Sequence, residues 1–124
     1  QICEVVRALP PEFLVLCGDD ALTLPAMAVG ACGVVSVASN ELPAEMAQLV
    51  EAAEANDFSL ARELHSRLLP LMLANFAESN PIPVKWALSR LGLIGPGIRL
   101  PLVPLAQPHE ATVLAAMRRA GVIE

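Results

Sequence analysis

The sequence predicts an α/β fold: the last two strand–helix units of a (β/α)8 barrel, residues 1–56, followed by a carboxy-terminal helical domain, residues 57–124. Two apolar runs without polar alternation, Phe13-Leu14-Val15-Leu16-Cys17 and Gly33-Val34-Val35-Ser36-Val37, read as parallel strands covered on both faces. The piece between them, an acidic turn and a short apolar helix, suits the crossover of a βα unit. From about residue 57 onward the apolar residues recur with helical spacing. A complete barrel takes about 250 residues, so the 124 present here supply only a portion of one.

The elements follow in order. Ile2, Val5, Val6 and Leu9 form one face of an amphipathic helix that enters in mid-pattern, as in a segment of a longer chain, and Pro10-Pro11 ends it. After the first strand, Pro25 fits the first turn of the crossover helix and Gly30 its stop. Asn40 is expected to cap a helix running to about residue 56, with Leu42, Met46, Leu49, Val50 and Ala53 on one face. Asp57 caps the next, whose stripe is Leu60, Leu64, Leu68, Leu71 and Met72 and which Pro70 should kink. Asn80-Pro81 reads as N-cap and first position of a helix carrying Val84, Ala87, Leu88 and Leu91 inward and stopping at Gly92. A turn-rich connector through Pro104 leads to a last helix from Pro108, with Val113, Leu114 and Met117 inward and Gly121 as its stop.

Composition narrows the function. A net charge of −5 with scattered basic residues argues against a phosphate-binding surface, and hence against nucleic acid. The stretch from residue 21 to 40 carries no charge, yet Pro25, Gly30, Gly33, Ser36 and Ser39 interrupt it and no basic cluster flanks it, so a membrane span is not expected. Cys3, Cys17 and Cys32 are odd in number and lack CxxC spacing, which suits buried, reduced thiols in a cytoplasmic protein. With 55% apolar residues and two strands short of neighbours, the chain calls for a covering partner: copies of itself or an amino-terminal complement.

In barrels of this kind chemistry gathers just after each strand, which draws attention to Gly18-Asp19-Asp20 and to the stretch from Ser36 to Asn40. Asp20 can cap the following helix, and the adjacent carboxylates can hold a divalent cation. Ser36 and Asn40 suit turn and capping roles. Lys85 is the sole lysine, about 100° around its helix from Val84, where a structural role fits better than nucleophilic catalysis. His65 and His109 show no zinc-ligand spacing; His65 reads as solvated, and Trp86 as a packing residue.

The wording of GDDALTLPAMAVGACGVVSV, and of NPIPVKWAL with LGL behind it, resembles the carboxy-terminal part of the dihydrodipicolinate synthase family, pyruvate-dependent aldolases and lyases that include N-acetylneuraminate lyase. The resemblance covers essentially the whole chain, and NPIPVK is its most specific element. It implies a class I lyase that condenses pyruvate with aspartate semialdehyde in lysine biosynthesis, through a lysine Schiff base and without a cofactor or metal. It places Gly18 and Asp19 beside the substrate pocket. It gives Val35, in GVVSV, a main-chain carbonyl near the pyruvate-derived group, in addition to its plain role in a core strand. The family's nucleophilic lysine and its tyrosines lie upstream of everything present here, and the chain has no tyrosine. The alternatives are a segment of another pyruvate aldolase, such as N-acetylneuraminate lyase, and a non-catalytic helical interaction module.

Overall fold

The computed structural model describes residues 1–124. Helix α1 (Ile2–Ala8) precedes strand β1 (Leu16–Cys17), a 3-10 turn (Asp20–Leu22), helix α2 (Thr23–Ala28) and strand β2 (Gly33–Val34). A second 3-10 turn (Ala38–Asn40) leads to α3 (Pro43–Glu54), α4 (Phe58–Ala74), α5 (Ile82–Arg90) and α6 (Gln107–Ala120). The strands pair in parallel, Leu16 with Gly33 and Cys17 with Val34, as the crossover reading requires.

Both strands are shorter than the apolar runs that announced them. Pairing stops after two residues each, and Leu14, Leu16 and Val35 are exposed rather than covered on both faces. The physical reason is that a two-stranded sheet has no neighbour on its outer edges, so apolar side chains selected for a barrel interior stand open. Opposite them, Cys17, Ala26 and Ala31 are buried together, with Ile2 of α1 against them. Val6 of α1 approaches Gly30 so closely that a Cβ there would lie 2.8 Å from its Cγ1, and Gly30 has φ +107°. A larger residue would force the Val6 side chain to shift and would strain the backbone at this positive φ.

The main core lies among the helices. Leu49 of α3, Leu68, Leu71 and Met72 of α4, and Val113 and Met117 of α6 are essentially inaccessible, and with Leu24, Leu42, Ile82 and Leu105 they form one continuous apolar cluster. It spans the turn between α3 and α4 at residues 56 and 57, where Asn56 has φ +60°.

Several helix starts differ from expectation. Asn40 caps nothing: its amide bonds back to the Val37 carbonyl inside the 3-10 turn, and α3 begins at Pro43, whose fixed φ suits the first position. Helix α5 likewise begins at Ile82 with Pro81 as its cap residue, one step later than Asn80-Pro81 suggested. Asp57 does cap α4, accepting from the Leu60 amide at 3.1 Å. We expect Asp57→Ala to lower unfolding stability by about 0.5–2 kcal/mol in a denaturant titration. Helix α4 continues through Pro70 to Ala74, and Leu60, assigned to its inner stripe, is 44% exposed. Gly121, in the left-handed region, ends α6 as read.

Candidate functional site at the strand ends

The register sets the site. With Cys17 opposite Val34, the chain leaves both strands side by side, and the Val35 amide donates to the Cys17 carbonyl at 2.8 Å. Gly18 and Val35 therefore open onto the same cleft, of about 420 Å³, at the carboxyl ends of the strands. Ser36 and Asn40 line it from the strand side. Phe76 and Asn80 line it from the segment between α4 and α5; Phe76 had not been singled out in the sequence, and Asn80 only as a helix cap. The only sequence signal for Asn80 was its place before Pro81, which pointed to capping. Asp19 is not among the lining residues. Its carboxylate caps the first 3-10 turn, accepting from the Ala21 amide at 2.9 Å.

Neither of the two adjacent aspartates lines the cleft, and the capping role expected of Asp20 falls to Asp19. Asp20, read as the cap, is 1% exposed, and its Oδ2 accepts from the amides of Val37 and Ala38 at 2.9 and 3.0 Å. It joins the turn after β1 to the turn after β2. With Asp19 facing Ala21 and Asp20 facing residues 17 and 18 positions onward, the carboxylates are spent on separate backbone groups. No group of three or more His, Cys, Asp or Glu side chains is placed to share a metal ion.

Behind this turn lies a second buried carboxyl. Glu41 Oε2 accepts from Asn75 Nδ2 at 2.6 Å, tying the start of α3 to the end of α4. Burial pushes the Glu41 carboxyl up to about 7; the Asn75 bond opposes this, and the charge of Asp20 adds to it. Oδ1 of Asp20, Oε1 of Glu41 and Oδ1 of Asn75 are each buried without a protein partner.

The other titratable candidates stand apart. Lys85 borders a different cleft, beside Trp86 and between α5 and the connector, and does not reach Gly18 or Val35. Trp86 is half-buried against the core with the Arg90 guanidinium 5.7 Å above its ring, a packing role. His65 is half-buried rather than solvated, and desolvation lowers its pKa. His109 sits 3.8 Å from Glu78, whose carboxylate also accepts from the Ala106 amide. The cysteines are all free, but only Cys17 is buried; Cys3, on α1, and Cys32, just before β2, are exposed. No helix is long and apolar enough to cross a membrane.

A parallel βαβ unit whose strand ends open a cleft, backed by a helical layer, fits a portion of a (β/α)8 barrel with its accompanying helices. Residues 1–120 match the dihydrodipicolinate synthetase family, and the chain belongs to it. It is 49% identical over 124 residues to the 4-hydroxy-tetrahydrodipicolinate synthase of Koribacter versatilis, covering all of this chain and 41% of that protein. It is 54% identical over 123 residues to the same enzyme of Chlorobium chlorochromatii, covering 99% of this chain and 42% of that one. Among solved structures, the dihydrodipicolinate synthase of Thermotoga maritima superposes with a TM-score of 0.95 at 36% identity, covering 99% of this chain and 43% of that one. A chloride-inhibited synthase from Acinetobacter baumannii, complexed with pyruvate, gives 0.94 at 40% identity, covering 98% and 42%. The chain thus spans about two fifths of the length of these relatives.

Proposed function

We propose that this chain is the carboxy-terminal portion of a 4-hydroxy-tetrahydrodipicolinate synthase, a class I lyase of lysine biosynthesis that joins pyruvate to aspartate semialdehyde through a lysine Schiff base. The observation that supports the reading is the cleft at the strand ends, lined by both Gly18 and Val35, the residues to which the resemblance points. Gly18 leaves room for substrate, and Val35 contributes its main chain, so an apolar side chain there is no obstacle. Asp19 enters through its position next to Gly18, with its carboxylate engaged at Ala21. The nucleophile, the proton-relay hydroxyls and the carboxylate-binding arginine belong to the other strands of the barrel. The same strands would cover Phe13, Leu14, Leu16 and Val35, which are 52–72% exposed in this chain. Assembly with such an amino-terminal complement or with further copies, in the cytoplasm, completes the proposal; three free thiols suit a reducing compartment.

Schiff-base trapping tests it. A complete protein carrying this segment, incubated with pyruvate and borohydride, should gain the mass of one reduced pyruvate adduct and should condense pyruvate with aspartate semialdehyde. The 124-residue chain alone should keep its mass, because its sole lysine, Lys85, borders another cleft. Cleavage of N-acetylneuraminate by the complete protein would transfer the reading to a different pyruvate aldolase. Labelling of Lys85 would overturn the site.

A further inference from the structure

Three hydrogen bonds bracket the Val35 peptide. Before it, the Val35 amide is held by the Cys17 carbonyl at 2.8 Å. After it, the Val37 and Ala38 amides both converge on Oδ2 of Asp20, at 2.9 and 3.0 Å. The Ser36 hydroxyl takes no part in this grip; it accepts from the Ser39 amide at 2.8 Å and closes the next turn. The direction of the Val35 carbonyl is therefore set between a neighbouring strand on one side and a single buried carboxylate on the other. That carboxylate belongs to the residue two positions after Gly18, so one side chain holds both walls of the cleft in fixed relation. Hydrogen bonds to an ionised acceptor are about twice as strong as neutral ones, and their geometry is stricter.

We propose that Asp20 is a positioning residue of this pocket: by gripping the Val37 and Ala38 amides it aims the Val35 carbonyl across from Gly18 and thereby sets the affinity for pyruvate. The inference rests on the reading of the site given above. Asp20 itself is shielded from the cleft and touches no substrate. Its effect is transmitted through two amides and one peptide.

The test uses a complete synthase carrying this segment, with Asp20→Asn and Asp20→Ala beside the parent. Asp20→Asn keeps one oxygen for the amides but loses the charge. It should raise KM for pyruvate about tenfold while kcat changes far less, since small misplacements of binding groups are costly. Amide hydrogen exchange at Val37 and Ala38 should accelerate in the same variant. Asp20→Ala should show both effects more strongly; where it fails to fold, Asp20→Asn decides alone. A folded Asp20→Asn with parental KM and parental exchange overturns the proposal, and so does a lower melting temperature accompanied by unchanged KM. The exchange measurement also separates the two levels of the argument. A parent that pyruvate and borohydride cannot label sinks the reading of the site, whereas parental exchange at Val37 and Ala38 sinks the role of Asp20 whatever the substrate.

Discussion

Raising the pH from 4.5 to 7 is expected to remove about 3 kcal/mol of folding stability through Glu41 alone. In the folded chain the Glu41 carboxyl is pushed up to about 7 from the 4.5 of an unburied group, chiefly because burial penalises its charged form. A raised folded value means that the native state holds the proton more tightly than the unfolded state. The contribution is then fully present below the unfolded value and is lost as pH climbs through the folded one. Between the two the slope is about 1.4 kcal/mol per pH unit. Glu41→Gln should flatten this slope, because its amide oxygen still accepts from Asn75 Nδ2 and nothing is left to ionise. Denaturant unfolding of both proteins across this range checks it, with the difference between the two curves as the readout. Parallel curves would mean that Glu41 keeps an ordinary carboxyl despite its burial.

Leu71→Ala should cost about 2–5 kcal/mol. Leu71 is fully buried at the middle of the core that α4 shares with α3 and α6, so the deleted atoms leave a cavity that packed neighbours fill only in part. Leu60→Ala on the same helix should cost far less, since Leu60 is 44% exposed. Leu71→Met, which nearly conserves volume, should stay below about 1.5 kcal/mol. The three unfolding midpoints form one experiment. Equal losses at positions 60 and 71 would contradict the inward face assigned to α4.

The helices were legible because their signals are local. Asp57 announces a start and Gly92 and Gly121 announce stops through backbone geometry confined to a few neighbouring residues. The start of α3 was misplaced because two local signals compete, a capping amide at Asn40 and a proline at 43, and the proline prevailed. The strand lengths were overread because an apolar run states what a residue prefers to touch, whereas pairing depends on how many neighbours are at hand. At the site, Gly18 and Val35 were singled out from the resemblance alone, and both line one cleft at the strand ends. Asp19 and Asp20 were not separable in the sequence, since identical neighbours differ only in direction. What distinguishes Asp20 is a partner 17 residues away, a tertiary fact without a local trace. Asn75 and Glu41, 34 residues apart, were invisible for the same reason.

The apolar cluster that runs unbroken from Leu24 and Leu49 to Leu71 and Met117 bears on how such a sequence can be recombined. A crossover between two homologous genes at the turn holding Asn56 would look harmless in the alignment, since it falls between helices. It would nonetheless graft one parent's α3 onto the other's α4, so that the side chains packed between these two helices come from different lineages. Chimaeras cut there inherit a packing problem, and the side chains of α3 and α4 have to change lineage together.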